Sequence, residues 1–297
     1  MGRLKYNISL FGANILFALN YSLFVSLLEG DKLSIGAIYI LQVLGLFIVA
    51  MVVGGGAMVR SCCRGVDIVI ISLTAVVSAL GWSYASLYGM SLTSPIDAAT
   101  VASVGPSLTL IFAHLLGLRR VTGVRVVGLL LSLVGVATLV VTIHPLTGNR
   151  RVVAGNMVLV AAVLVAAINT LIFKPQLERY GLRRVLLIYS VAAVVVSLPL
   201  FVDDLRGVDL LKLGWGGLLE ACLLLLAGGA LPLVMLLEGT EHLTALHTSL
   251  YRYLQPLITA AVVVARGQAQ FTWVNCVAIV MIIAGGVALA RGVDRAG

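Results

Sequence analysis

The sequence predicts an all-α membrane protein: ten transmembrane helices arranged as two inverted five-helix repeats, residues 1–150 and 151–297, with both termini cytoplasmic. Three observations predict it. Of 297 residues, 61% are apolar and only 11% charged, and the mean hydropathy is +1.11. A soluble domain carries about 25% charged residues, so this composition excludes a soluble enzyme, a nucleic-acid-binding domain and a disordered scaffold. The apolar residues fall into ten runs, each near the ~20 residues that cross a bilayer as a helix. The chain also repeats itself at a fixed offset of 150 residues.

In chain order the spans are Tyr6–Leu28, Ile35–Val59, Val66–Tyr88, Pro95–Leu118, Val124–Ile143, Val153–Phe173, Val185–Val202, Gly216–Leu237, Ala245–Ala265 and Phe271–Ala290, numbered 1 to 10. They are continuously apolar, where barrel strands would alternate, so they read as helices. Span 1 follows Arg3 and Lys5, but its apolar run is long and no small-x-small cleavage site follows, so it reads as an uncleaved first helix. Span 4 opens with Thr93-Ser94-Pro95-Ile96-Asp97, a helix-start pattern at the outer surface in which the Asp97 charge complements the helix dipole. Pro106 and Pro256 stand in the middle of spans 4 and 9, where a proline removes a backbone hydrogen bond and permits a hinge or a static bend. Between Val126 and Val141 of span 5 only Ser132 and Thr138 are polar, and between Val277 and Leu289 of span 10 nothing is. Both spans are therefore placed outside the bundle. Gly128, Gly135, Gly285 and Gly286 would allow close helix contact there, within one subunit or as the seam of a homodimer. Trp215 and Trp273 read as interface anchors. Cys62, Cys63, Cys222 and Cys276 have neither a disulfide framework nor a zinc spacing and read as reduced thiols.

Basic residues fix the orientation. With a cytoplasmic N-terminus, the inner segments hold thirteen Lys and Arg, among them Arg119, Arg120, Lys174, Arg183 and Arg184, against six in the outer segments. The outer segments carry Glu29, Asp31, Asp203, Asp204 and Asp209. The net charge of +8 is thus a topological signal.

At the 150-residue offset the halves align without a gap from Tyr88 to Val140. Pro106 falls on Pro256, Thr109 on Thr259, Gly117 on Gly267, Thr122 on Thr272 and Gly135 on Gly285. Each half holds five spans, an odd number, so the second enters from the opposite face and the repeats are inverted. The segment Leu87-Tyr88-Gly89-Met90-Ser91-Leu92-Thr93-Ser94-Pro95-Ile96-Asp97-Ala98, then Pro106, resembles the junction of spans 3 and 4 in EamA-type transporters of the drug/metabolite transporter superfamily. Ser249-Leu250-Tyr251-Arg252-Tyr253-Leu254-Gln255-Pro256, with Thr272-Trp273 and Ala284-Gly285-Gly286-Val287, resembles the second copy. The resemblance implies a metabolite carrier, often an exporter of amino acids or related solutes. Two departures bear on the substrate. Many members carry an arginine in span 2, where this chain reads Tyr39-Ile40-Leu41-Gln42, and Arg252 stands where relatives more often have an uncharged residue.

Projected at 100° per residue, Thr100, Ser103, Ser107 and His114 of span 4 fall within about 60° of one another. In span 9, His247, Thr248, Tyr251, Arg252, Gln255 and Thr259 fall within about 140°, and in span 1 Asn7, Asn14 and Tyr21 within about 40°. Span 3 adds Trp82, Ser83, Tyr84 and Tyr88, and span 6 adds Asn156, Asn169 and Thr170. A central cavity lined by spans 1, 3, 4, 6, 8 and 9 follows. Its expected substrate-binding residues are Asn14, Tyr21, Tyr84, Tyr88, Thr100, Ser103, Ser107, Asn169, His247, Tyr251, Arg252 and Gln255. Arg252 has two readings: an anchor for a carboxylate or phosphate, or a partner of Glu238 or of lipid phosphates. His114 and His247 are either proton carriers or simple interhelical hydrogen-bonders. Glu220 is either a gating carboxylate or a water-accessible rim residue.

The function expected is secondary-active, alternating-access transport that exports amino acids or similar small metabolites through this cavity. Efflux of apolar or cationic drug-like solutes is the alternative, with Trp82, Tyr84, Tyr88 and Tyr251 then carrying recognition. No Gly-x4-Gly-Lys loop exists for ATP hydrolysis. Ionisable residues are scattered in depth with no His-Glu-x2-His spacing, so an enzyme, a metal site and a cofactor are not expected. The partners expected are a small-molecule substrate and the lipid bilayer, not nucleic acid, with the chain a monomer or a homodimer through spans 5 and 10. The expected location is the inner (plasma) membrane.

Overall fold

The structure, a computed structural model, describes residues 2–54, 63–117, 123–147, 150–228, 231–236 and 245–294. Among them every regular element is helical. The helices are α1 (Gly2–Leu28), α2 (Ile35–Gly54), α3 (Gly65–Ser78), α4 (Ala85–Leu92), α5 (Pro95–Ala102) and α6 (Gly105–Leu115). There follow α7 (Gly123–Thr147), α8 (Arg150–Tyr180), α9 (Leu182–Arg206), α10 (Leu210–Ala227), a short α11 over 231–236, α12 (Ala245–Ala265) and α13 (Trp273–Asp294). Seven segments of this set are long and apolar enough to cross a membrane: α1, α2, α3 through α4, α5 through α6, α8, α9, and α10 through α11. Their outer faces stay apolar and uncovered, with Val52 82%, Leu211 93% and Trp215 89% exposed. Together with the length of these segments, such a surface suits contact with lipid. The chain is an all-helical, multi-pass membrane protein.

The helices depart from the spans read in the sequence where the backbone is irregular. Span 3 is two α-helices joined by a π turn, Ala79–Tyr84. Span 4 is not one helix: α5 ends at Ala102, a turn covers Ser103 and Val104, and Pro106 stands in the first turn of α6 rather than mid-helix. A proline costs nothing there, because the first-turn N–H groups have no intrahelical partner. Pro256 does lie inside a continuous α12. Helix α9 runs longer than expected and bends at Phe201 (φ −124°, ψ 16°), two residues past Pro199. Helix α10 starts before Gly216 and turns sharply at Gly214 (φ 60°, ψ 178°), a conformation open to glycine. Residues 55–59, the end of the expected span 2, lie outside the described residues.

Packing pairs helices from the two halves of the chain. Helix α2 lies on α9, α7 on α13, and α1 on α12 and α10. Helices α3 and α4 lie on α8, as do α5 and α6, while α3 also touches α9, α10 touches α2, and α5 touches α12. The main core runs through these contacts, with Phe24, Ile38, Tyr39, Leu159 and Leu224 fully buried or nearly so. Glycines set the closest approaches. A Cβ at Gly45 would collide with the Leu225 carbonyl of α10, and one at Gly285 would collide with the Gly128 carbonyl and the Ser132 hydroxyl of α7. The small residues of α7 and α13 therefore hold these two helices together within one chain.

The connectors 29–34, 93–94, 207–209 and 266–272 gather at one end of the bundle. Ser34 donates to Asp204 at 2.5 Å, Lys32 Nζ to the Ser26 carbonyl at 3.1 Å, and Asn275 to Asp97 at 2.9 Å. At the opposite end Asp67, in the first turn of α3, accepts from Arg179 at 3.2 Å and from the Tyr180 hydroxyl at the end of α8.

The glycine contact gives a direct test. Gly285→Leu is expected to destabilise the purified protein by about 1–3 kcal/mol through overpacking, read as a lower midpoint of thermal unfolding in detergent. Gly65→Ala, where an added Cβ meets nothing within 4 Å, is expected to leave that midpoint unchanged.

Candidate functional site

Three of the polar residues predicted to face a cavity, Asn14, Thr100 and Ser103, spend a hydrogen bond on their own helix. Thr100 Oγ1 donates to the Ile96 carbonyl at 2.6 Å and Ser103 Oγ to the Thr100 carbonyl at 2.7 Å. Asn14 Nδ2 donates to the Leu10 carbonyl at 2.8 Å. Short polar side chains do this readily in a helix because the carbonyl three or four residues back lies within reach. Thr100, Ser103 and Ser107 are buried, whereas His114, on the same projected stripe, is exposed. Ser107 and His114 share one face of α6, but His114 stands at the exposed end of that helix, beside Leu115 and Leu116.

Other expected residues do meet partners across helices. Asn169 of α8 donates to the Thr74 carbonyl at 2.9 Å and to Ser78 Oγ at 2.5 Å, pinning α8 to the turn just before the π segment. Tyr84, the last residue of that segment, packs on Phe201 at 4.6 Å between ring centroids and on Tyr39 at 5.4 Å. The Tyr39 hydroxyl shares a 2.6 Å hydrogen bond with Ser197 Oγ. These three rings come from α2, the π turn and α9. Trp82 and Tyr21 pack against the same core, and the buried Ser86 hydroxyl nearby in sequence has no partner. Tyr251 packs among Leu10, Ala13 and Leu236, Gln255 is half-buried on α12, and Tyr88 is 44% exposed. The side chains of His247 and Arg252 lie outside the described residues, as does Glu238.

Three polar groups were missed or misplaced by the sequence reading. Gln42 and Asn20 hydrogen-bond at 2.9 Å between α2 and α1. This part of α2 is thus polar through a paired amide. Glu220 is not a free rim residue. It pairs with Arg266 at 2.8 Å and accepts from Ser26 at 2.7 and 2.8 Å. Arg266 also donates to Ser22 Oγ at 2.9 Å, and Ser22 bonds Gln268 at 2.5 Å. This network ties α1, α10 and the α12–α13 connector together. Beside it opens a cleft of 390 Å³ lined by residues that include Phe24, Met90, Thr93, Ser94 and Gln268. Asp97 is also not at the surface: it is 3% exposed, capped by Ser94 and bonded by Thr93 (2.7 Å) and Asn275. The sequence signal for both carboxylates was their place inside an apolar run. Among the described residues no group of three or more His, Cys, Asp or Glu is placed to hold a metal ion.

A double-mutant cycle of Glu220→Gln and Arg266→Gln is expected to give a coupling of about 1 kcal/mol or less in unfolding experiments, because both side chains remain partly exposed. The coupling should shrink as salt is raised.

Residues 153–291 match the model of the EamA-like transporter family, which bears out the resemblance read from the sequence. No curated protein matches the chain. A solved crystal structure of a protein superposes on 97% of this chain and 97% of its own, with a TM-score of 0.59 at 16% identity. The likeness covers the fold from end to end.

Proposed function

With an EamA-like transporter segment over residues 153–291 as the premise, we propose that the chain is a secondary-active, alternating-access carrier. It consists of ten spans in two inverted repeats, 1–150 and 151–297, with both termini cytoplasmic in the inner (plasma) membrane. The seven long apolar segments are joined by α7, α12 and α13, helices of 25, 21 and 22 residues with apolar stretches of their own. The single observation that carries the reading is the pairing pattern. Exchanging the halves, first span for sixth and so on, maps the α1–α12 contact onto α8 against α5 and α6, and the contact of α3 and α4 with α8 onto α10–α1. It maps α3–α9 onto α10–α2 and leaves α2–α9, α5–α12 and α7–α13 unchanged. A fold with this symmetry has two equivalent conformations of opposite facing, which is what alternating access requires.

The solute path runs between the halves, lined by spans 1, 3, 4, 6, 8 and 9, with amino acids or similar small metabolites exported along it. Asn14, Tyr21, Tyr84, Tyr88, Thr100, Ser103, Ser107, Asn169, His247, Tyr251, Arg252 and Gln255 contribute to it, and Pro106 and Pro256 flank the moving segments. Arg252 anchors a carboxylate. A second reading, apolar or cationic solutes, is favoured by the ring cluster of Tyr39, Tyr84 and Phe201, because aromatic faces attract cations. The chain acts as a monomer or as a homodimer through the outer faces of α7 and α13, where Val127 and Val280 are exposed.

Counterflow of labelled amino acids in proteoliposomes tests this. Saturable exchange is expected, and Arg252→Ala is expected to reduce it about tenfold or more, equivalent to ~1.4 kcal/mol. Exchange insensitive to Arg252→Ala but lost in Tyr84→Ala, and competed by organic cations, would select the second reading. Absence of exchange for every solute class would overturn the carrier.

A further inference from the structure

We propose that Asp97 and Asn156 form a buried proton-binding site that couples proton movement to the rearrangement of the two halves. The inference rests on the carrier reading for its role in transport, but the site itself stands on geometry. Asp97 is 3% exposed and Asn156 is fully buried. They belong to α5 and α8, and Asn275 of α13 joins them. The carboxylate lies where the first half meets the second.

The groups at the carboxylate are neutral: Thr93 donates to Oδ2 at 2.7 Å, Asn275 Nδ2 to Oδ1 at 2.9 Å, and Asn156 stands within reach. Among the described side chains, the charged residues on the surrounding elements lie elsewhere; those of Arg252 and His247 on α12 are outside the described residues. Arg150 and Arg151 at the start of α8 and Glu29 after α1 are exposed, and Arg266 after α12 is held by Glu220 and Ser22. Tyr88 of α4 is half-exposed. A buried carboxylate without a cationic partner carries a large desolvation cost. The two donors and the start of α5 offset part of it.

Asn156 supplies the second observation. Its Oδ1 and Nδ2 are both buried, and neither reaches full hydrogen-bond geometry with the neighbouring Asp97 carboxylate or with another described group. Such an orphaned pair is costly in a protein interior. An ionised Asp97 offers an acceptor for Nδ2, and a protonated Asp97 offers an O–H donor for Oδ1. Each protonation state thus has its own matching orientation of the Asn156 amide. A proton arriving at Asp97 turns a donor–acceptor contact between the halves around, while Asn275 stays fixed by its own cap: its Oδ1 accepts from the Thr272 hydroxyl at 2.6 Å.

The test uses the full chain in proteoliposomes and two readouts. Infrared difference spectra across a pH titration are expected to contain a protonated-carboxyl band that is absent from Asp97→Asn. In Asn156→Leu, which keeps Asp97 but removes the amide, the band is expected to titrate about one pH unit or more away from wild type. In transport, Asp97→Asn is expected to keep amino-acid counterflow, which needs no gradient, and to lose accumulation driven by a pH gradient. A titrating band that persists unchanged in Asp97→Asn, or an unshifted titration in Asn156→Leu, would overturn the proposal. So would wild-type uptake driven by a sodium gradient and indifferent to pH. If Asp97→Asn does not fold, the Asn156→Leu titration decides alone. If wild type exchanges no amino acid, the carrier reading fails at its substrate while the infrared titration still decides the site.

Discussion

Hydrocarbon offers no hydrogen-bond partner, so each backbone N–H and C=O of a spanning segment must find one within the protein. Everything irregular in this chain is arranged around that demand. Where α5 ends, the Ser103 and Val104 amides turn back to the Ala99 and Val101 carbonyls, so both donors of the turn are satisfied within the protein. Where helices cross, side chains supply missing bonds: Asn169 reaches the Thr74 carbonyl, and Ser9 reaches the Met235 carbonyl at 2.9 Å. The same demand favours close approach of satisfied backbones, which is why glycines sit at the crossings of α2 with α10 and of α7 with α13.

The all-helical, multi-pass character was legible because apolar run length reports directly on the bilayer. The ends of α1 and α12 lie within a few residues of the spans read from the sequence, and the extra length of α8, which continues through Pro175 to Tyr180, is the main excess. Breaks were not legible. Nothing in Ala79–Tyr84 marks a π turn in the sequence. Pro106 was visible, but whether a proline bends a helix or starts a new one depends on two residues before it, and Ser103-Val104 carries no turn signature.

The site was read less well, for a chemical reason. A helical projection treats a hydroxyl as a vote for water or solute, yet Thr100, Ser103, Thr109, Ser132 and Thr138 all bond carbonyls of their own helix. Such a hydroxyl has spent its donor within its own helix and keeps only its acceptor lone pairs for a solute. The informative groups were those too long or too charged to fold back: Gln42, Glu220, Arg266 and Asp97 each reach another helix or connector. Tyr84 packs in a ring cluster, as an aromatic side chain inside a helical bundle must. Its partners Tyr39 and Phe201 were hidden, since their proximity depends on the α2–α9 contact and on the bend in α9.

The π turn in span 3 works as a phase shifter. Along an uninterrupted α-helix, Leu87 and Met90 would point about 160° and 100° away from Ile71. One residue absorbed in a wider turn brings them back by about 100°, and all three side chains are buried. The segment Ala79–Tyr84 is therefore constrained in length more strictly than in composition. Homologous chains should exchange residues freely there before they gain or lose one. A one-residue deletion would leave a perfectly good transmembrane helix whose second half turns its core side chains towards the lipid.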